Sequence, residues 1–137
     1  MGLSRMWIFL FLVLLSSFGG ERNLVSAQLC VMETFKVRSA SGVVFDESGQ
    51  AIANAQVEAS KSKEDPIGHT QTDGNGAFDL PDLPAGKYDL RIRAAGFKDG
   101  WIPIVLNPRK KVIAGEKSLR VVLTPGMGCT SAALFKR

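Results

Sequence analysis

Apolar and polar residues alternate along several short segments of the chain. The alternation runs through residues 43–45, 55–59, 90–94 and 119–123, and within each segment the apolar side chains fall on one face. A period of two residues is typical of β-strands, and a strand with one polar face is common in antiparallel sheets. No comparable stretch has the spacing of an amphipathic helix. The pattern therefore predicts an all-β protein.

Turn-forming residues separate these segments and delimit the predicted strands. Gly, Pro, Asn and Asp cluster at 46–49, 72–76, 83–86, 96–100 and 107–108, where they allow positive φ angles or preset a turn. The predicted strands are 34–39, 42–46, 56–61, 68–72, 76–80, 86–95 and 119–124, with another extended segment near 101–106. Strands at this spacing predict a seven-stranded β-sandwich of two sheets.

The first 27 residues have a composition of their own. Arg5 precedes an apolar run over residues 7–15, and a polar stretch then ends at Ala27. This order is typical of a signal peptide, and the run is about half of the roughly 20 residues that a membrane-spanning helix needs. We expect cleavage after Ala27 or after Gly19, no permanent membrane span in the mature chain, and a secreted, periplasmic or cell-surface protein. The alternatives are a membrane anchor and a lipoprotein acylated at Cys30.

Length and charge restrict the class of protein further. The chain has 137 residues, with 17 Lys and Arg against 13 Asp and Glu, which is room for one domain. Removing residues 1–27 leaves 110. The densest basic run, 109–111, lies in a predicted turn beside Pro108, so it forms no stripe that neutralises many phosphates. We expect no nucleic-acid partner.

The two cysteines, Cys30 and Cys129, lie near the two ends of the predicted mature chain. Export places them in a compartment where disulfides persist, and the termini of a domain often lie close together. A bond between them is the simplest interpretation. Two free thiols and a covalent dimer remain as alternatives, although no C-x-x-C spacing supports a redox role.

Four motifs follow one another along the body of the chain. The pattern Gly42-x-Val44-x-Asp46-x-x-Gly49-x-x-Ile52-x-x-Ala55-x-Val57 is followed by Thr72-Asp73-x-x-Gly76-x-Phe78, by Leu83-Pro84-x-Gly86-x-Tyr88-x-Leu90 and by Ala94-x-Gly96-Phe97. In this order and spacing, over residues 37–124, the chain resembles the carboxypeptidase regulatory-like domain family.

The resemblance implies a transthyretin-like, or prealbumin-like, seven-stranded Greek-key sandwich of the carbohydrate-binding-like kind. Such domains are noncatalytic appendages of secreted peptidases, surface adhesins and outer-membrane receptors. The predicted organisation is then a signal peptide at 1–27, an N-terminal segment at 28–36, the sandwich at 37–124 and a C-terminal tail at 125–137.

The motif residues also have physical roles that do not depend on the family. Asp46 and Asp73 open turns in which a carboxylate can accept hydrogen bonds from backbone N–H groups. Phe78 and Tyr88 fall on the inward phase of their strands, and the Tyr hydroxyl should find a backbone partner near a strand end. We expect structural roles for all four.

No catalytic or metal-binding pattern is complete in the sequence. A calcium loop starting at Asp73 fails because Pro84 stands where a bidentate Glu is required. Residues 74–76 lack the Lys and Ser or Thr of a phosphate-binding loop, and His69 is the one His of the chain. We therefore expect no catalytic residue, no metal site and no cofactor.

Two relatives of the fold carry chemistry of their own. The hydrolase branch of transthyretin-like proteins acts on a purine-breakdown intermediate through several His and Arg residues and a C-terminal Tyr-Arg-Gly-Ser motif, whereas this chain ends Leu-Phe-Lys-Arg. Adhesin-type relatives form a Lys–Asn isopeptide, but residues 119–124 contain no Asn. An enzyme is therefore a distant alternative.

Binding is the function that remains. Phe97 and Trp101 flank the turn at 96–100 and are the candidate residues for stacking on a sugar, although rings folded over the core are the simpler interpretation. Pairing of an edge strand with a partner chain is a further option. The sequence thus predicts a secreted, noncatalytic sandwich module with a binding or structural role toward a protein or polysaccharide partner, and carbohydrate binding near Trp101 is the main alternative.

Overall fold

A computed structural model describes residues 30, 32–62, 65–108 and 117–136, and these form nine strands. The strands are β1 (Phe35–Val37), β2 (Ala40–Phe45), β3 (Gln56–Ser60), β4 (Gly68–Gln71), β5 (Ala77–Leu80), β6 (Gly86–Arg93), β7 (Gly100–Leu106), β8 (Lys117–Val122) and β9 (Ser131–Lys136). No helix among the described residues is long and apolar enough to cross a membrane.

The strands pair into two sheets. The first has the order β1-β7-β6-β3-β4 and the second the order β5-β2-β8-β9. Most neighbours are antiparallel, but β1 runs parallel to β7 and β2 runs parallel to β8. β4 and β5, which are edge strands of different sheets, contact each other on one side of the sandwich. The other two edge strands, β1 and β9, therefore lie on the opposite side, which we call the open side.

The core lies between the sheets and contains the predicted apolar faces of 55–59, 90–92 and 119–123, but in β2 the inward residue is Val44 and not Val43 or Phe45. Alternate residues of β6 and β7 point inward, and the residues between them point outward. Burial of these aliphatic side chains is the main favourable contribution to folding. Residues with no exposed surface include Val44, Val57, Leu90, Ile92, Ile102, Leu119, Val121 and Leu123.

The predicted all-β sandwich is confirmed, with two corrections. The extended segment near 101–106 is a full strand, β7, between β1 and β6. The predicted tail at 125–137 contains β9, which pairs with β8 from Ser131 to Lys136. The strand count in the described residues is therefore nine rather than seven. The predicted signal peptide at 1–27 lies outside the described residues.

The turn after β2 is organised by Asp46, as the sequence predicts. One carboxylate oxygen accepts hydrogen bonds from the Ser48 hydroxyl at 2.6 Å and from the N–H groups of Ser48 and Gln50 at 2.9 Å each. These bonds, first of all that from the Ser48 hydroxyl, lower the pKa of Asp46 because they favour the charged carboxylate. Gly49 completes the turn with φ +84°.

Two further motif residues have the structural roles that the sequence predicts. Asp73 accepts hydrogen bonds from the N–H groups of Asn75 and Ala77 at 2.9 and 3.0 Å, so it caps the turn between β4 and β5. Tyr88 is buried, and its hydroxyl donates to the carbonyl oxygen of Pro84 at 2.5 Å. Each motif thus satisfies backbone groups at the end of a strand.

Gly42 lies where β2 approaches β8 most closely. It pairs with Leu119 in the parallel ladder, and a Cβ atom at this position would collide with the Leu119 carbonyl oxygen and approach its Cβ to 2.9 Å. Because the obstacle is the backbone of a central strand, it cannot move aside cheaply. Close contact of these two strands therefore requires glycine at position 42.

We expect Gly42→Ala to lower the free energy of unfolding by about 1–3 kcal/mol, since the added Cβ would collide with the β8 backbone at Leu119. The matched control is Gly74→Ala. Gly74 is exposed in a turn with no atom near its added Cβ, so the change should stay within about 0.5 kcal/mol. Guanidinium denaturation with the disulfide closed measures both. Equal stability of the two variants would contradict the close-packing account.

Candidate functional site

A disulfide bond joins Cys30 and Cys129, whose Cα atoms lie 5.5 Å apart. Cys30 precedes β1 of the first sheet and Cys129 precedes β9 of the second. The bond thus ties the two sheets together on their open side. It confirms the intrachain pairing among the three alternatives that the sequence left open, and it uses both cysteines of the chain.

A pocket of about 250 Å³ lies beside this disulfide. Its wall combines the disulfide with an aromatic ring, a thioether, a hydroxyl and one side chain of each charge. The lining residues are Cys30, Met32, Lys98, Asp99, Trp101, Cys129 and Thr130. They come from three separate segments: the stretch before β1, the turn before β7 with the start of that strand, and the stretch before β9. We refer to this cavity as the Trp101 pocket.

Trp101 is held by its neighbours on the outer face of the first sheet. It lies opposite Arg91 in the antiparallel ladder of β6 and β7, and the Arg91 guanidinium carbon lies 5.1 Å from the ring centroid. Arg91 in turn donates from Nε and Nη2 to one carboxylate oxygen of Asp99, at 2.9 and 2.5 Å. Stacking and the ion pair together restrict the orientation of the indole.

A second ion pair continues the polar surface away from the pocket. Arg93 Nη2 donates to Glu58 Oε1 at 2.8 Å, and Glu58 lies opposite Arg91 on one side and His69 on the other. His69 is exposed on β4. Both ion pairs are about one third exposed, so solvent screens them and each contributes little to stability. Their role is to order a charged face beside Trp101.

Phe97, the second residue that the sequence proposes for stacking, lies apart from the pocket. It follows a tight turn in which its N–H donates to the Ala94 carbonyl oxygen at 3.1 Å. Its ring is half-buried and packs against the core. The structure therefore places Trp101, and not Phe97, at the pocket wall.

Sequence reasoning missed the residues that surround Trp101. Arg91 could have been found from the alternation of β6, because the hairpin turn at 96–100 sets Arg91 opposite Trp101. Lys98 and Asp99 belong to that same turn. Met32 and Thr130 could have been found only from the predicted disulfide, because residues close in sequence to Cys30 and Cys129 must lie near that bond.

No group of three or more His, Cys, Asp or Glu side chains that could hold a metal ion is present in the part of the chain that the structure describes. The carboxylate of Asp99 is engaged by Arg91, and the carboxylate of Glu58 by Arg93. The chemistry that the described site offers is therefore stacking, ion pairing and hydrogen bonding.

Comparison with known proteins gives a family match and likenesses to solved structures. The family model described as "Carboxypeptidase regulatory-like domain" matches residues 39–117. No curated protein matches the chain. Among solved structures, the chain is similar to the 5-hydroxyisourate hydrolase of Klebsiella pneumoniae, with 18% sequence identity and a TM-score of 0.48, over 72% of this chain and 98% of the other. Likeness at this level transfers no activity between the two proteins.

Removal of the disulfide should destabilise the sandwich without abolishing its core. We expect the variant with Cys30→Ser and Cys129→Ser to lose about 2–5 kcal/mol of unfolding free energy, because the bond closes a loop between residues 99 positions apart. Chemical denaturation measures the loss. Thiol titration of the unreduced, denatured wild type should detect no free thiol, and two reactive thiols per chain would contradict the bond.

Proposed function

Because the chain belongs to the carboxypeptidase regulatory-like domain family, we propose that it is an exported, noncatalytic module that acts by binding a partner or by structural support. The match covers more than half of the chain, and the described residues form a β-sandwich. The proposed contact site is the Trp101 pocket with the charged face beside it.

Export is supported by two independent features. The composition of residues 1–27 is typical of a signal peptide. Both cysteines of the chain also form a disulfide bond, which is common in oxidising compartments and rare in reducing ones. Together they favour a secreted, periplasmic or cell-surface location.

The observation that carries the binding proposal is the stacking of Arg91, itself paired with Asp99, on the Trp101 ring in the wall of a pocket. A half-exposed indole that is already held in place loses little side-chain entropy on binding. The hydroxyl oxygen of Thr130, a lining residue, is buried without a hydrogen-bond partner among the described residues. A ligand with a polar group beside an apolar face would satisfy the hydroxyl and the ring together.

A noncatalytic role is supported by the placement of the residues that most often act in catalysis. The one His, His69, lies exposed on β4, three strands away from β7, which carries Trp101. Neither cysteine is available as a thiolate nucleophile while the disulfide is closed. The carboxylate of Asp99, which lines the pocket, is paired with Arg91, and that of Glu58 with Arg93.

Carbohydrate binding is the second candidate, and the half-exposed Trp101 ring favours it. Arg91 covers one face of the indole, so a sugar would stack on the part of the ring that Arg91 does not cover. A protein partner would instead insert a side chain into the pocket and pair with Lys98 or Asp99. Both candidate functions use the same pocket, and they differ in whether the protein is retained on a polysaccharide or on another protein.

We expect Trp101→Ala to reduce retention of the exported protein on its own cell-envelope fraction about ten-fold or more, as for the loss of a buried aromatic anchor. The matched control is Val105→Ala, which lies on the same strand and the same outer face. Equal retention of Trp101→Ala and wild type would contradict the pocket as the contact site. Retention on purified polysaccharide that depends on Trp101 would identify a sugar ligand, and retention removed by protease treatment of the envelope would identify a protein.

The noncatalytic assignment has its own test. We expect the purified protein not to accelerate hydrolysis of 5-hydroxyisourate, because one exposed His and two braced arginines do not form a cluster that could activate water. Spectrophotometric decay of that substrate measures the rate. Acceleration that disappears in His69→Ala would contradict the assignment.

A further inference from the structure

An apolar stripe runs along the outer face of β7 and leads away from the Trp101 pocket. Trp101, Pro103 and Val105 alternate with the buried residues of this strand, so their side chains point outward, where each is partly exposed. A strand rises about 3.4 Å per residue, so the Cα atoms of Trp101 and Val105 lie about 13 Å apart. These three residues, which we call the β7 stripe, therefore extend the pocket into an elongated surface.

Lysines stand at both ends of the β7 stripe. Lys36 of β1 and Lys87 of β6 lie in register on either side of Val105, and both are exposed. Residues directly opposite each other in a sheet share a face, so these two lysines lie on the same face as Val105. At the other end, Lys98 lines the pocket that contains Trp101. The stripe thus has one cation at the pocket and a pair of cations across its far end.

Carboxylates of the described chain do not neutralise these three lysines. The carboxylates of Asp99 and Glu58 are paired with Arg91 and Arg93, and no described residue forms an ion pair with any of the three lysines. Asp89 of β6 is then the one unpaired carboxylate on the described strands of this sheet and the turn before β7. An excess of positive charge remains along the stripe, and it favours an anionic partner.

We propose that the β7 stripe binds a linear polysaccharide that carries carboxylate groups, with one sugar ring on Trp101 and the sugar chain running along β7 toward Val105. Its carboxylates pair with Lys98 at the pocket and with Lys36 and Lys87 at the far end. This inference rests on the proposed function, because the Trp101 pocket is one end of the site. It adds the charge of the ligand and the direction in which the ligand leaves the pocket.

The face of a sheet suits a sugar chain better than an acidic peptide. The backbone N–H and C=O groups of a sheet point toward neighbouring strands, and β7 lies between β1 and β6, so the stripe offers side chains to a ligand. An extended peptide on this face would leave its own N–H and C=O groups without partners from the sheet. A sugar ring instead stacks its C–H face on the indole while its hydroxyl groups stay in water.

The cations along the stripe have different roles. Arg91 is held by Asp99 and stacks on Trp101, so it shapes the surface on which the first sugar lies. The three lysines have flexible stems and compact charges, so they can follow carboxylates that repeat along a polymer. Each exposed ion pair contributes little by itself, and affinity depends on several acting along one chain. We therefore expect a weak complex that is sensitive to salt.

Titration of the disulfide-closed protein with polygalacturonate and with alginate, both linear polyuronates, tests the proposal. We expect binding to both. Fully methyl-esterified polygalacturonate keeps the sugar backbone and loses the charge, so its Kd should be about ten-fold higher or more. Salt at about 1 M, where the Debye length is about 3 Å, should weaken binding of the charged form to a similar extent. Absence of binding to both polyuronates, or equal binding of the methyl ester, overturns the proposal.

Removal of the two lysines beside Val105 tests the far end of the site. The variant with Lys36→Gln and Lys87→Gln should raise the Kd for polygalacturonate about five-fold, because two exposed ion pairs are lost. The matched control, with Lys117→Gln and Lys136→Gln, removes the same charge from the second sheet and should leave the Kd within about two-fold of wild type. Circular dichroism establishes that both variants are folded. An equal Kd for the two variants overturns the proposed path along β7.

Trp101→Ala separates this inference from the proposed function. It should raise the Kd for polygalacturonate about ten-fold or more, because it removes the aromatic anchor. If retention on the cell envelope depends on Trp101 while polyuronates do not bind, the pocket remains the contact site and the acidic polysaccharide is overturned. Tighter binding to polyglutamate than to polygalacturonate, at equal carboxylate concentration, also overturns it and assigns the stripe to an acidic polypeptide.

Discussion

The bond between Cys30 and Cys129 determines how the two sheets meet on their open side. On the other side, β4 and β5 contact each other and hold the sheets together through noncovalent contacts. On the open side, β1 and β9 belong to different sheets, and the disulfide links the segments that lead into them. Three features depend on this link: the wall of the Trp101 pocket, the approach of Thr130 to β7 at Gly100, and the position at which β9 begins.

The site can be understood as a consequence of that geometry. A hairpin between β6 and β7 sets Arg91 beside Trp101, and the turn within it supplies Asp99 as the partner of the arginine. The hairpin by itself would give an aromatic ring on an open sheet face. The disulfide adds a second wall and turns this face into a pocket.

The sequence predicted best what depends on neighbours along the chain. The turns at Asp46 and Asp73 and the bond of Tyr88 to Pro84 each span four residues or fewer, so residue types alone indicate them. Strand β9 was missed because its apolar residues fall on both faces, so the period-two pattern is absent, and because its pairing with β8 is nonlocal. Pro103 lies in β7, which is interior to its sheet although proline has no N–H to donate. The ladder with β1 starts at Ile104, so no bond with β1 is lost at the proline.

Native-state hydrogen exchange, followed before and after reduction of the disulfide, tests most directly whether this bond orders the open side. The account predicts that reduction lowers protection at the amides of β9 and of the pocket segment around Trp101, while β3 and β6, near the centre of the first sheet, keep theirs. Uniform loss of protection would mean that the bond holds the whole fold. Unchanged protection in β9 would mean that the sheets meet on this side without it, and either result would contradict the account.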